Sequence, residues 1–183
     1  MNVTPELDAA FRAAAIRNGL VDVRYDLVDS PIGELVLAQT ELGLCRISYT
    51  TEGADELLAR DFGVRVLRVP LDDVRRELEE YFAGKRREFD LPLDLRGTGF
   101  QAAVLHELAQ VPYGQTDTYG HLAAKVGRPR AARAVGTVMN RNPLPIVLPC
   151  HRIVGANGAL TGYAGGLHIK RALLELEGVA LPL

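Results

Sequence analysis

The spacing of apolar residues changes along this chain, and the change limits its fold more than any other feature. In residues 21–27, apolar and polar side chains alternate, which predicts a half-buried strand. In residues 100–108, apolar side chains recur at helical spacing, which predicts an amphipathic helix. Residues 89–95 alternate apolar and acidic side chains and look like an extended connection. We therefore expect two domains, formed by residues 1–92 and 93–183.

The first domain is predicted to be an α/β unit with a short leading helix. Alternating strands separated by glycine-containing turns predict an antiparallel meander, followed by helical patterns. The predicted elements are a helix at residues 4–17, strands at 21–27, 34–39 and 44–49, a helix at 55–61, a strand at 64–69, and a helix between Pro70 and Gly84.

The second domain is predicted to be mostly helical. Thr98 and Gln101 have capping-box spacing and open its first helix. Short helices at about residues 119–126 and 130–139, joined by a turn at Gly127, have the form of a helix-turn-helix. Two helices of an ordinary bundle would show the same pattern. A last helix is predicted at residues 167–177.

Composition favours an ordinary soluble protein, with 48% hydrophobic and 24% charged residues. No apolar run approaches a membrane span, and the N-terminus has no secretory pattern, so we expect a cytoplasmic protein without a membrane partner. The two cysteines, Cys45 and Cys150, stand in dissimilar contexts, which favours a reducing compartment. Cys45 is interpreted as a small buried hydrophobe.

Charge is divided unevenly between the two predicted domains. Residues 1–92 hold 12 Lys and Arg against 18 Asp and Glu, net −6, whereas residues 93–183 hold 9 against 5, net +4. Within residues 111–152, six basic side chains accompany one acid, Asp117. Such a stretch suits a polyanion, although a solvated basic face would look the same.

The run Pro-Cys-His-Arg at residues 149–152 holds the most reactive side chains of the chain. Apolar residues on both sides predict that it is buried in a cleft. Proline favours an extended residue before it, and neighbouring side chains of an extended segment point to opposite faces. Cys150 and His151 should therefore not touch directly, and proton transfer between them would need a bridging water or a bend.

A reactive thiol needs help from its neighbours. A free cysteine has a pKa of about 8.5, and lowering it by about 1.5 units takes roughly 2 kcal/mol, which His151 and Arg152 could supply. Taken alone, Cys150 could be an inert core cysteine and His151 a satisfied half-buried histidine. A carboxylate would orient the imidazole, and the sequence leaves five candidates open: Asp94, Glu107, Asp117, Glu175 and Glu177.

The chain resembles the O6-alkylguanine-DNA alkyltransferases, a family of suicide DNA-repair proteins. The signature is Pro-Cys-His-Arg-Ile-Val at residues 149–154, supported in the family's order and spacing by residues 119–123, 131–136, 142–145, 162–166 and 173–178. The resemblance implies an α/β N-terminal ribonuclease-H-like domain and a mostly α-helical C-terminal domain containing a helix-turn-helix. It implies no cofactor, and the cysteine and histidine set of zinc-binding members is missing, so we expect no metal.

The resemblance implies that Cys150 accepts the alkyl group and ends as an S-alkylcysteine that is never regenerated. His151 would act through a water as the base, oriented by Glu177. Asn142 would fix the turn that positions the cysteine. A water between thiol and imidazole agrees with the expectation that the two side chains do not meet.

The resemblance also implies how DNA is held. Tyr119 would crowd the backbone phosphate to rotate the nucleotide, and Arg133 would fill the gap left by the flipped base. The helix would approach the minor groove closely because its neighbouring residues are small, namely Ala131, Ala132, Ala134 and Gly136. The guanine pocket would be lined by Tyr119, Met139, Pro145, Ile153, Tyr163 and Ala164.

Three functional hypotheses follow. The first is a single-turnover alkyltransferase, a monomer that flips an O6-alkylguanine out of double-stranded DNA, with cooperativity along DNA left open. The second is a DNA-binding regulator whose cysteine only senses alkylation. The third is a cysteine hydrolase acting on a small substrate.

Overall fold

The computed structural model describes residues 4–49, 52–62, 65–97 and 99–180. Each predicted helix and strand is present, with ends displaced by a few residues; Thr98 and Val64 lie outside the described residues. The first part contains α1 (Pro5–Arg17), β1 (Val23–Val28), β2 (Leu35–Gln39), β3 (Leu44–Ser48), α2 (Ala54–Phe62), β4 (Val66–Arg68) and α3 (Asp72–Phe82). The second contains α4 (Gly99–Ala109), β5 (Asp117–Thr118), α5 (Tyr119–Lys125), α6 (Ala132–Asn140), a 3₁₀ turn (Cys150–Arg152), β6 (Ile153–Val154) and α7 (Leu167–Leu176).

The sheet of the first part has the strand order β3-β2-β1-β4. The predicted meander is confirmed, because β1 and β3 both pair antiparallel with β2. β4 instead pairs parallel with β1, and α2 lies in the connection that leads to it. A parallel neighbour requires such a crossover, since its chain must return to the same end of the sheet.

The two faces of this sheet pack against different partners because side chains alternate along each strand. Val36, Ala38 and Cys45 pack with Ala54 and Leu58 of α2. On the other face, the main core contains Leu35, Leu37 and Ile47, together with side chains of α3 and of the helices after residue 99. The two parts of the chain therefore share one continuous hydrophobic core.

Helix α1 stands apart from that core. Thr4 caps it, as its hydroxyl accepts the Leu7 N–H at 3.3 Å, and Arg12 donates to the carbonyl of Arg68 in β4. The apolar face predicted from the sequence stays exposed, with Leu7 60% and Phe11 68% accessible. Among the described residues, no helix is both long and apolar enough to cross a bilayer.

Strands β5 and β6 form a two-stranded parallel sheet that links two distant segments. Asp117 lies opposite Ile153, and Thr118 opposite Val154. Thr118 also caps α5, since its hydroxyl accepts the His121 N–H at 3.1 Å. The start of α5 is thereby held beside the end of the turn that carries Cys150.

Candidate active site

Cys150 lies in a single 3₁₀ turn, Cys150–Arg152, so the expectation of an extended segment was wrong. Pro149 has φ −81° and ψ 62°, and its carbonyl accepts the Arg152 N–H at 2.9 Å, which closes the turn. The chain becomes extended again only at Ile153. The expected burial is confirmed, since Cys150 is 5% exposed and His151 fully buried.

Asn142 closes the loop that leads into this turn. Its Nδ2 donates to the Leu148 carbonyl at 2.8 Å, and its Oδ1 accepts the Leu144 N–H at 3.0 Å. Between these anchors, buried Ile146 has a φ of 76°. A β-branched residue rarely adopts this conformation, and holding it there costs about 1–3 kcal/mol.

His151 is held by Glu177, which follows α7. Its Nε2 lies 2.9 Å from the Glu177 Oε1, so Nε2 donates its hydrogen and Nδ1 keeps its lone pair. Nδ1 is buried without a hydrogen-bond partner among the described residues. Burial lowers the pKa of His151, and the opposing effect of Glu177 does not outweigh it. The imidazole is therefore neutral at pH 7 and able to accept a proton.

Glu177 is the carboxylate that the sequence could not select from five candidates. Besides His151, its carboxylate accepts two hydrogen bonds from Arg152 at 2.9 Å, one from the Tyr81 hydroxyl at 2.8 Å and one from the Gly114 N–H at 3.1 Å. Burial alone would raise the pKa of Glu177, but the hydrogen bonds from His151 and Arg152 and the positive charge of Arg152 lower it to about 2. The carboxylate stays ionised and keeps the imidazole in one tautomer.

The expected stabilisation of a Cys150 thiolate by Arg152 was wrong. Arg152 turns toward Glu177 and the Val111 carbonyl, and its burial removes it from the predicted basic face. Burial raises the pKa of the Cys150 thiol, and hydrogen bonds with Asn142 and Tyr163 and the charge of Lys170 offset only part of this effect. The resting thiol is protonated at neutral pH, so its reaction requires a base.

A cavity of about 180 Å³ opens onto Cys150. It brings together four of the side chains predicted to hold a guanine, namely Met139, Pro145, Tyr163 and Ala164. Ile153, predicted to be a fifth, is fully buried in the main core beneath the site. Residues 46–49, at the end of β3, form a further wall that the sequence did not predict.

Tyr119 lies in a neighbouring open groove between α5, α6 and residues 161–162, and not in the Cys150 cavity. The groove is also lined by Ala132, Arg133 and Gly136. The Tyr119 hydroxyl accepts from Thr161 Oγ1 at 3.2 Å, and its ring lies near Gly136, where a Cβ would meet it at 3.9 Å. Small residues on α6 thus leave the tyrosine ring accessible.

The exposed surface around this groove is basic. Ala131 immediately precedes α6, and Arg133 and Ala134 are exposed on its first turn. The exposed basic side chains of the predicted stretch are Lys125, Arg128, Arg130, Arg133 and Arg141. Lys125 is partly neutralised by Asp117 at 3.2 Å.

Comparison with known proteins identifies the family of this chain. Family models match residues 23–95, as the ribonuclease-like domain of 6-O-methylguanine DNA methyltransferase, and residues 99–179, as its DNA binding domain. The chain belongs to the 6-O-methylguanine DNA methyltransferase family. This confirms the resemblance and the expected two-domain α/β architecture.

Individual relatives of this methyltransferase family match over most of their length. The methylated-DNA–protein-cysteine methyltransferase of Methanosarcina acetivorans is 46% identical over 154 residues, covering 84% of this chain and 97% of the relative. That of Mycobacterium tuberculosis H37Rv is 44% identical, covering 87% and 95%. A crystal structure of M. tuberculosis OGT in complex with DNA superposes with a TM-score of 0.75 at 44% identity, covering 84% and 92%.

Three side chains of this family member escaped the sequence analysis. Tyr81 of α3 reaches Glu177, and Tyr49 reaches Tyr163 with 2.6 Å between the hydroxyl oxygens. Lys170 of α7 is fully buried and donates to the carbonyls of Ile153 and Thr161. Burial lowers the pKa of Lys170 to about 8. Of these three residues, only Lys170 had a local signal in the sequence, because it stands at helical spacing from the apolar residues Leu173 and Leu174 of α7.

Proposed function

We propose that this chain repairs DNA by moving the alkyl group of an O6-alkylguanine in duplex DNA onto Cys150, once and irreversibly. One arrangement supports this function above all. The sulfur faces a cavity of about 180 Å³, and a neutral imidazole fixed by Glu177 lies next to it in the chain. This arrangement supplies both an acceptor and a base.

The transfer exchanges one bond for another. The Cys150 proton passes through a bridging water to Nδ1 of His151, and Glu177 stabilises the resulting imidazolium. The sulfur then attacks the alkyl carbon, the S–C bond forms, and the bond from that carbon to O6 breaks. Guanine leaves with the electron pair and takes up a proton at N1 from water, and the imidazolium returns its proton to water, so the base is neutral again. The thioether has no route back to a thiol, so each molecule reacts once.

DNA binds across α5 and α6, which we propose form a helix-turn-helix. Arg133 enters the duplex and offsets the few kcal/mol lost when a base unstacks. Tyr119 presses on the backbone at the groove beside the cavity. Small side chains let α6 approach the minor groove, namely Ala131, Ala132, Ala134 and Gly136. The flipped base enters the cavity among Met139, Pro145, Tyr163 and Ala164.

The remaining expectations concern the whole chain. The order β3-β2-β1-β4, with β4 parallel to β1, supports a ribonuclease-H-like first domain. The domain boundary at residues 92–93, a monomeric state, and a cytoplasmic location in keeping with two free cysteines stay predictions.

The decisive experiment incubates the protein with a duplex that contains one O6-methylguanine and measures intact mass. We expect one added methyl group, mapped by peptide sequencing to Cys150, with at most one equivalent of DNA repaired. Cys150→Ala should abolish transfer, whereas Cys45→Ala, the matched control, should retain it. Repair in excess of protein would favour a hydrolase, and tight DNA binding without transfer would favour a regulator.

A further inference from the structure

We propose that Tyr49, from the first domain, is a positioning residue for alkyl transfer: its hydroxyl fixes the hydroxyl of Tyr163 on the sulfur of Cys150. The inference rests on the proposed function, because it concerns how the thiol of that reaction is activated. It also gives the first domain a direct part in the chemistry of the second.

Tyr49 reaches the site from the end of β3. Its hydroxyl oxygen lies 2.6 Å from that of Tyr163, and the two ring centroids lie 5.9 Å apart at an interplanar angle of 54°. Burial raises the pKa of the Cys150 thiol, and an interaction with the Tyr163 hydroxyl opposes that rise. Both tyrosines line the cavity that opens onto the sulfur. The three groups thus form a short chain from β3 to the alkyl acceptor.

The order of donors in this chain follows from proton counting. Each hydroxyl has one hydrogen to donate, and a thiolate is a stronger acceptor than a neutral hydroxyl. When Tyr49 donates to the Tyr163 oxygen, the only hydrogen of Tyr163 is directed to the sulfur. Hydrogen bonds in series also polarise one another, so the Tyr163 hydroxyl becomes a better donor. The thiolate formed during transfer is stabilised as a result.

Packing holds Tyr49 in this place. Gly165 lies so close to its ring that a Cβ there would sit 2.8 Å from Cδ2 and 2.9 Å from Cε2. On the same strand end, the Ile47 N–H donates to the Pro143 carbonyl at 2.8 Å, next to Asn142. Tyr49 is therefore fixed between the loop that carries Tyr163 and the loop that leads to Cys150.

Other titratable and charged groups also act on the thiol. Lys170 approaches from α7, His151 adjoins it in the 3₁₀ turn, and Arg46 and Arg141 line the cavity. Glu177 and Arg152 lie behind His151. Tyr49→Phe keeps the ring and leaves all of these groups in place, so a change in the pH dependence of transfer would report on the hydroxyl alone.

The test measures single-turnover transfer from an O6-methylguanine duplex as a function of pH. Tyr49→Phe should slow transfer about fivefold, the effect of one lost hydrogen bond, and should move the acid limb of the profile to higher pH because the thiolate is less stabilised. Tyr163→Phe should do the same, and the double variant should add nothing further. Tyr25→Phe, in β1 beside the other core cluster, is the matched control and should behave as wild type.

Each outcome decides the matter. A wild-type rate and pH profile in Tyr49→Phe would overturn the inference, as would additive losses in the double variant. Circular dichroism shows whether Tyr49→Phe is folded. If it is not, the pH profile is measured instead in Gly165→Ala, whose Cβ must displace the Tyr49 ring. Failure of the wild-type protein to become methylated would instead overturn the proposed function.

Discussion

Glu177 receives hydrogen bonds from four residues in three separate segments of the chain: Tyr81, Gly114, and the neighbours His151 and Arg152. Loss of this carboxylate would affect both the catalytic base and the stability of the protein. Without its negative charge, the imidazole loses the partner that fixes its tautomer, and Arg152 remains buried without a counter-ion.

We expect Glu177→Gln to slow alkyl transfer about a hundredfold, because the base is no longer oriented or stabilised when protonated. It should also lower the free energy of unfolding by about 3 kcal/mol, since it leaves a buried charge unpaired. Single-turnover kinetics and urea unfolding measure the two effects. Glu175→Gln, exposed on the last turn of α7, is the control and should change neither.

The low pKa of Glu177 also predicts acid sensitivity. The carboxyl has an ordinary pKa of 4.5 and a pKa of about 2 in the folded protein, so folding favours its ionised form. Its stabilising contribution is complete above pH 4.5 and is lost as pH falls toward 2. We expect unfolding free energy to fall through this window, and to fall less in Glu177→Gln. Equal slopes for the two proteins would contradict this.

At the scale of the element, we expect α6 and the groove beside it to contribute to transfer from duplex DNA but not to transfer from a free base. Arg133→Ala should reduce transfer from duplex O6-methylguanine about tenfold, a loss of about 1.4 kcal/mol, but leave transfer from free O6-benzylguanine nearly unchanged. Arg60→Ala removes the same charge from an exposed site on α2 and serves as the control. Equal losses with both substrates in Arg133→Ala would argue against insertion into DNA.

The loop before α7 contains a pair of glycines that differ only in their surroundings. A Cβ at Gly165 would lie 2.8 Å from the Tyr49 ring, whereas one at Gly162 would meet nothing within 4 Å. We expect Gly165→Ala to lower the free energy of unfolding by about 1–3 kcal/mol through overpacking, and Gly162→Ala to have little effect. Thermal unfolding of the two variants measures the difference, and similar midpoints would contradict it.

Most helices and strands were predictable because apolar periodicity is a local property. The 3₁₀ turn at Cys150–Arg152 was not, because proline restrains its own φ and the residue before it but not the residues after it, whereas the turn depends on a hydrogen bond from Arg152 back to Pro149. The exposure of Phe11 escaped for a related reason. Spacing marks an apolar face of α1, but it does not say whether another element covers that face.

At the scale of the whole molecule, the two domains are expected to unfold together because they share one core. Tyr81→Phe removes a bond between α3 and Glu177, and we expect it to lower stability by about 1–2 kcal/mol. Circular dichroism and thiol labelling of Cys150 should give the same shifted midpoint. Labelling that precedes the loss of secondary structure would show that the second domain opens separately.

The candidate site was predictable only where its residues are neighbours in sequence. Cys150 and His151 stand side by side, and Asn142 stands before a proline that marks a turn. Glu177, Tyr81 and Tyr49 reach the same place from distant segments. Their roles depend on tertiary packing, which a single sequence does not display, and family resemblance supplied Glu177 alone among them.

The position of His151 keeps the entry of the alkyl group apart from the departure of the thiol proton. The imidazole is fully buried and takes no part in lining the cavity, so it lies on the interior side of the sulfur. In the proposed reaction the alkyl group enters through the cavity, while the thiol proton passes to His151, which Glu177 holds. The proposed base therefore takes up none of the cavity that receives the alkylated guanine.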